Sequence, residues 1–420
     1  MVATLRRRWP VAMLFTVAFL VLGNQHCNAI YHHNLDVPRG DGKYRPILAV
    51  QDGHMIYLHV VSLALDGDLD ISDQIEAFGR TGHRFKASDG RPVYPHDVGQ
   101  VLIQAPVFAA AHGASKVANL FGANIPSHGY TLFHQRIVLF TSVIFAMLAA
   151  FLGYRTARRL LGDTWAGPVA AIAVLFGTNL AYYAVHRPDY GHALSAGLGA
   201  VFMAYWVATY GQLRWRRFAV VGALLGAAAL VRSANMFLGI VLVIELAVGV
   251  PAVVRARNWR ELGVLAGRGG LALLAALLVY SPQLLVWKYH YQTGFFTPPH
   301  DGPYVHLGRP MLTEFLYSSH NGFFYTHPLA YFGVIGLVLL PRRVRVIGLA
   351  LFAAVMIQAY INSSVYDWWG MGSYGARRMC GTSLALMVGL AALAQLCARG
   401  LRRARIRVWP RRSIGVLVLA

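Results

Sequence analysis

Apolar residues along this chain fall into uninterrupted runs of membrane-spanning length rather than into short amphipathic stripes. The runs cover roughly Trp9–Ala29, Arg136–Tyr154, Trp165–Val185, His192–Tyr210, Phe218–Val231, Met236–Val254, Leu262–Trp287, Pro328–Leu340, Val344–Ile361 and Cys380–Leu396. In lipid no water satisfies the backbone, so each run must be helical, and the pattern predicts an all-α polytopic transmembrane bundle of about ten spans. Two stretches depart from it. Ile47 to Leu65 places Ile47, Val50, His54, Tyr57, Leu58, Val61 and Leu65 at helical spacing, which suits a helix lying on the membrane surface. Val98 to Phe121 is apolar but holds Gln104, Pro106, His112 and Lys116 and lacks a basic flank, which favours an interfacial or re-entrant helix over a full crossing. Both lie in a long polar segment. The chain therefore divides into a first transmembrane helix (1–30), a loop with interfacial helices (31–135), a bundle with further loops (136–398) and a basic tail (399–420). Ser413 to Ala420 is too short to span, and no internal repeat or inverted pair of Gly/Pro-broken segments is visible.

Composition turns this pattern into a class. With 56% hydrophobic and 13% charged residues, the chain reads as one helical membrane unit without a soluble domain. A formal charge of +21 would point to nucleic acid in a soluble protein. Its distribution removes that partner. Arg6, Arg7, Arg8; Arg155, Arg158, Arg159; Arg214, Arg216, Arg217; Arg255, Arg257, Arg260, Arg268; Arg342, Arg343, Arg345; and the tail from Arg399 to Arg412 each flank an apolar run, which is the positive-inside pattern. With these clusters in the cytoplasm, the alternate loops hold nearly all the carboxylates, from Asp36 through Asp97 to Asp189, Asp301, Glu314 and Asp367. The expected localisation is the inner (plasma) membrane, with both termini cytoplasmic and the chemistry outside. Arg6 to Arg8 before Val11–Leu22 and Ala29 also read as a cleavable signal peptide, which leaves the following segment outside in either case. The three cysteines, Cys27, Cys380 and Cys397, lack metal-type spacing, and a Cys27–Cys380 bridge stays open.

The outer segments carry the candidate chemistry. Asp52, in Gln51-Asp52-Gly53-His54, is placed to be a general base tuned by burial and cations, or else a helix cap. Asp66, Asp68 and Asp70 form an acidic turn that would supply a second carboxylate or hold a divalent cation, the one cofactor left open, or else a solvated turn. In Tyr94-Pro95-His96-Asp97-Val98-Gly99, Asp97 suits a helix cap, and Tyr94 and His96 flank a helix N-terminus able to receive a phosphate. The group His186 to His192 offers Asp189 and His192 for substrate contact; the alternative is anchoring by Tyr182, Tyr183 and Tyr190 with Arg187 paired to Asp189. Arg232, at the meeting of two spans, either snorkels or binds an anion. The run Asp367 to Arg378 combines backbone-freeing glycines, a sugar-stacking face at Trp369, and Arg377 and Arg378, which can clasp a phosphate; its tryptophans and arginines also suit plain anchoring. Glu245 is the one acid within a span, expected to pair or to face the interior, with proton relay as the alternative. The histidines show no zinc-enzyme spacing.

Taken in order, Asp52-Gly53-His54-Met55-Ile56-Tyr57, Ser62 to Asp70, Tyr94 to Gly99 with Ala105-Pro106-Val107-Phe108, His186 to Ala193, Val231-Arg232-Ser233, Ser281 to Trp287 and Trp369 to Arg378 resemble a bacterial branch of the GT-C superfamily of lipid-linked-sugar glycosyltransferases. The resemblance runs from about Trp9 to Cys397 and rests on motif order and topology. It implies transfer of a sugar from a polyprenyl-phosphate carrier to an extracytoplasmic lipid, glycan or protein acceptor, with inversion, and a catalytic carboxylate at Asp52. Many relatives have Asp-Glu where this chain has Asp52-Gly53, which opens the question of a second carboxylate among Asp66, Asp68 and Asp70. A donor held in the bilayer needs cations for its phosphate, which Arg232, Arg377 and Arg378 supply by topology, with Tyr94, His96, Asp189, His192 and Trp369 around sugar or acceptor. Two rivals stand beside this expectation. A carrier or flippase for a lipid-linked or anionic solute needs polar groups at mid-depth and broken helices, and a noncatalytic envelope-assembly scaffold would leave Asp52 replaceable.

Overall fold

The computed structural model describes residues 2–32, 52–78, 86–93, 97–292 and 305–403. The helices are α1 (Val2–His32), α2 (Asp52–Leu65), α3 (Ser72–Phe78), α4 (Gly99–Leu120), α5 (Leu132–Leu161), α6 (Ala166–Gly177), α7 (Asn179–Val185), α8 (His192–Thr209), α9 (Trp215–Val231), α10 (Ile240–Arg255), α11 (Trp259–Tyr291), α12 (Leu312–Tyr317), α13 (Phe323–Thr326), α14 (Pro328–Val338), α15 (Arg345–Ser363) and α16 (Ser383–Arg403). Tight 3-10 turns at Ser233–Gly239 and Arg377–Thr382 lead into α10 and α16. Among the described residues there is no strand, only two isolated antiparallel bridges, Lys86 with Pro92 and Val305 with Val365. Among the described residues seven helices are long and apolar enough to cross a membrane, or eight if the bent pair α6 and α7 is taken as one span. This is an all-α, multi-pass membrane bundle. Of the ten runs expected to cross, α9 and α14, at 17 and 11 residues, are too short to qualify.

The run read as one span from Trp165 to Val185 is broken by 63° between α6 and α7. At the break Thr178 is extended, accepts from Leu180 N at 3.4 Å and donates to Val174 O at 2.7 Å, so one hydroxyl ends the first helix and caps the second.

Small residues let the long helices approach closely. A Cβ at Gly222 or Gly226 of α9 would overlap the backbone of Ala272 or Ala276 of α11, and one at Gly336 of α14 would overlap Gly389 of α16. The α9–α11 contact matters for function because it fixes the register between Arg232-Ser233 at the end of α9 and Tyr280 and Gln283 on α11.

α4 is not among the helices that qualify as crossings. It starts deep, where a Cβ at Gly99 would overlap Leu230 at the end of α9. From there it runs toward the start of α5: Gln104 Nε2 donates to Thr141 Oγ1 at 3.0 Å, and further along Phe108 stacks on His134 at 5.4 Å between ring centroids. α4 thus covers only one end of α5. α2 follows the same course and is buried along most of its length, with Tyr57 donating to Gly129 O at 2.8 Å. The ends of α5, α10 and α14 and the starts of α9, α11 and α15 carry the arginine clusters, and the polar motifs gather at the opposite end.

Candidate functional site

The turn 186–191 dips into the bundle. Ser142, ten residues into α5, donates to Pro188 O at 2.7 Å, which sets the turn about 15 Å below the start of α5 at 1.5 Å per residue. Gln100 of α4 donates to Asp189 O at 2.8 Å. Asp189, only 2% exposed, meets Arg187 through two bonds, Nε to Oδ1 at 3.1 Å and a terminal nitrogen to Oδ2 at 2.9 Å. The Arg187–Asp189 pairing weighed from the sequence is therefore present, inside a recess instead of on an exposed connector. Gly53, the second residue of α2, abuts this carboxylate so closely that a Cβ would overlap it. The start of α2, where Asp52 stands, is thereby seated on Asp189.

Cations line the other side. Arg232 donates to His192 Nδ1 at 3.0 Å, and its Nε has no hydrogen-bond partner among the described residues. Burial and then the fields of Arg378 and Arg377, with Asp97 opposing, pull the Arg232 guanidinium down to about 10, so it stays cationic at neutral pH. The ring of Tyr190 lies between two guanidinium groups, Arg187 at 4.1 Å and Arg377 at 5.1 Å from its centroid. Arg378 is committed otherwise: it donates to Asp367 O at 2.9 Å and to Asp367 Oδ1 at 2.5 Å, both partners buried. Of the expected pair, Arg377 adjoins the Tyr190 face and Arg378 ties down the loop. Asn321 holds the same loop by donating to Trp369 O and Ser373 O, each at 3.0 Å, and Trp369 packs edge-on to Trp368 and His320. The N-termini of α2, α4 and α8 all end here and add partial positive charge.

Asp97 does not cap α4. The cap position is Val98, which makes no side-chain cap bond. The Asp97 carboxylate instead accepts from Ser233 Oγ, and Ser233 shares a hydrogen with Tyr280 OH at 2.6 Å. Gln283 Oε1 accepts from Val98 N at 2.6 Å and fixes the approach. Burial pushes the Asp97 carboxyl above its usual range. Sequence reasoning missed Gly53, Asp97, Gln100, Ser233, Tyr280 and Gln283 as site residues. The signal available was the pair of amides Gln100 and Gln104, four residues apart on an otherwise apolar helix.

The acidic turn lies at the far end of α2, away from this recess. Asp66 accepts from Gln74 at 2.6 Å, Asp68 from Ser62 at 2.8 Å, and Asp70 from Ser72 at 2.6 Å and Arg91 at 3.0 Å. Each carboxylate is thus tied into the turn, and no group of three or more His, Cys, Asp or Glu among the described residues is arranged to hold a metal. Tyr94 and His96 lie outside the described residues. Glu245 pairs with Arg217 at 2.8 Å, and Cys27 and Cys380 are both free thiols.

No family model and no curated protein matches the sequence. Among solved structures the chain is similar to the archaeal oligosaccharyltransferase AglB from Archaeoglobus fulgidus in complex with an inhibitory peptide and a dolichol-phosphate, at 14% identity and a TM-score of 0.48 over 98% of this chain and 54% of that one. It is also similar to the Archaeoglobus fulgidus oligosaccharyltransferase in the apo form, at 14% identity and a TM-score of 0.49 over 95% of this chain and 51% of that one. The chain spans about half the length of the structures it matches.

Proposed function

We propose that the protein is a glycosyltransferase of the GT-C kind that moves a sugar from a polyprenyl-phosphate carrier to a hydroxyl-bearing acceptor outside the cytoplasm. The observation that carries this reading is Arg232, a half-buried cation with no carboxylate within ion-pair distance among the described residues and with Arg377 as a neighbour. A cation partly withdrawn from water without an ion pair is costly unless an anionic ligand completes it.

The depth of the recess suits a lipid headgroup. From Ser142 to Arg158 in the basic cluster is sixteen residues of α5, or about 24 Å, close to the thickness of a hydrocarbon core of about 30 Å. With the arginine clusters in the cytoplasm, the recess opens near the opposite boundary, where a prenyl chain remains in lipid and its phosphate meets protein. Arg232 and Arg377 hold that phosphate, aided by the starts of α2, α4 and α8. Asp52, at the head of α2, takes the proton of the acceptor hydroxyl as its oxygen bonds to the anomeric carbon. The bond from that carbon to the carrier phosphate breaks, and the charge left on the phosphate is stabilised by the arginines. Arg187 and Asp189 hold the turn that carries Tyr190, and Trp369 offers a face for the sugar or the acceptor.

The test is mass spectrometry of envelope glycans and carrier lipids in the host strain with the gene intact, deleted, and replaced by Asp52→Asn. Deletion and Asp52→Asn are both expected to remove the same glycan and to accumulate the same sugar-loaded carrier, with the variant protein present in the membrane at normal level. An unchanged profile on deletion removes the enzyme, and full transfer by Asp52→Asn removes Asp52 as the base.

A further inference from the structure

Three motifs far apart in the chain meet at one carboxylate that the transfer scheme leaves unused. Asp97 arrives just before α4, Ser233 follows Arg232 at the end of α9, and Tyr280 and Gln283 come from α11. Ser233 Oγ donates to Asp97 and shares a hydrogen with Tyr280 OH at 2.6 Å. Gln283 anchors Val98 N at 2.6 Å, and the backbone of α4 at Gly99 lies against that of Leu230 too closely to admit a Cβ. The carboxylate is thus locked beside the guanidinium of Arg232 by elements with little room to move.

Two ordinary roles for it fail. It does not cap α4, and although its charge acts on Arg232, among the described residues no arginine or lysine nitrogen comes within ion-pair distance of it. Yet the residue is only half-buried, although its surroundings raise its pKa by burial, so it is not sealed in the core. A half-buried carboxylate held by the Ser233 hydroxyl has acceptor capacity to spare. Its chemistry suits a neutral donor such as a sugar hydroxyl.

Position supplies the rest. If Arg232 holds the carrier phosphate, the sugar hangs from that phosphate by a single oxygen, and its ring hydroxyls lie where a carboxylate flanking Arg232 reaches them. Resting on the glycosyltransferase reading, we propose that Asp97, positioned by Ser233 and Tyr280, accepts hydrogen bonds from the donor sugar's hydroxyls and so selects a hydroxylated sugar on the prenyl-phosphate carrier. The residue then sets donor specificity, a role distinct from that of Asp52.

The experiment uses the full chain in lipid nanodiscs and measures binding of two kinds of probe: bare prenyl phosphate, and the same prenyl phosphate carrying each of a panel of hexoses and their 2-deoxy forms. The wild type is expected to bind at least one hydroxylated sugar probe more tightly than the bare phosphate. Asp97→Asn is expected to lose about tenfold in affinity for that probe, the scale of one hydrogen bond to a charged group, while holding the bare phosphate within about twofold. Retained binding of the bare phosphate also certifies that the variant is folded. Ser233→Ala, which frees Asp97 to turn, should lose a smaller part of the same increment. If Asp97→Asn keeps the whole sugar increment, or the wild type binds bare and sugar-bearing probes alike, the donor-site role is overturned while the phosphate site stands. If the wild type binds neither probe, the glycosyltransferase reading itself has failed and this inference falls with it.

Discussion

An arginine stands at each end of α9, Arg217 buried in its first turn and Arg232 half-buried just past its last residue, and the two are built in opposite ways. Arg217, 3% exposed, donates to Glu245 Oε2 at 2.8 Å, to Thr209 Oγ1 at 2.9 Å and to Gln212 O at 3.4 Å, with its guanidinium over the Phe218 ring. Glu245 in turn accepts from Trp206 Nε1 and from Gly211 N, each at 2.8 Å. Charge is matched by charge, and the carboxylate is surrounded by donors. Arg232 has one hydrogen bond, to His192, and its nearest charged neighbours include two more arginines. One helix therefore shows a closed polar network and an open one. A closed network serves the fold; an open one has room for a ligand.

The largest effect that bears on this contrast is expected at the closed end. Arg217→Gln leaves Glu245 buried without its cation, which should cost about 3–5 kcal/mol of stability, read as a large drop in melting temperature in detergent. Adding Glu245→Gln should recover part of the loss, because a neutral pair is cheaper to bury than a lone charge. If Arg217→Gln melts with the wild type, the closed network does not support the fold as described.

Arg232→Gln should do the reverse. It removes a charge that lacks a matching anion, so the melting temperature should hold or rise. Affinity for bare prenyl phosphate should fall at least about tenfold, since a charge-assisted hydrogen bond contributes about 1.5–3 kcal/mol. A variant destabilised as badly as Arg217→Gln would make Arg232 a structural residue and erase the difference between the two ends.

These two arginines also mark how far the sequence could be read. The membrane class and the end of the bundle that gathers the polar motifs followed from apolar run length and arginine spacing, because both are local properties of the chain; of about ten expected crossings, seven helices qualify among the described residues, or eight with the bent pair. The pairing of Glu245 was expected because an acid inside a span must find a partner; that the partner is Arg217 depends on where the bundle places α9 and α10, which no local pattern encodes. Asp97 was read as a cap because Asp before an apolar helix usually is one; Ser233 outcompetes that role only after α4 and α9 have docked. The density of carboxylates in the acidic turn was legible; that Ser62, Ser72, Gln74 and Arg91 bond to them follows only from the folded turn. The break at Thr178 was missed for a similar reason: its single hydroxyl is inconspicuous between two apolar runs.

The finest probe of the open end is Gly53. On helix propensity alone, Gly53→Ala in α2 should stabilise by up to about 1 kcal/mol. The structure gives the opposite sign, because the new Cβ would overlap the Asp189 carboxylate, which cannot retreat without loosening both of its bonds from Arg187. Overpacking of this kind costs about 1–3 kcal/mol, so a net loss of roughly 1–2 kcal/mol in stability is expected. Transfer should fall as well, since the head of α2 and Asp52 with it must shift away from the turn that carries Tyr190. Gly53→Glu should be worse on both counts, because it would set a second carboxylate against Asp189 in the space that Asp189 already fills. A Gly53→Ala protein as stable and as active as the wild type would mean that α2 is not seated on Asp189, and the recess would lose the wall that brings Asp52 to it.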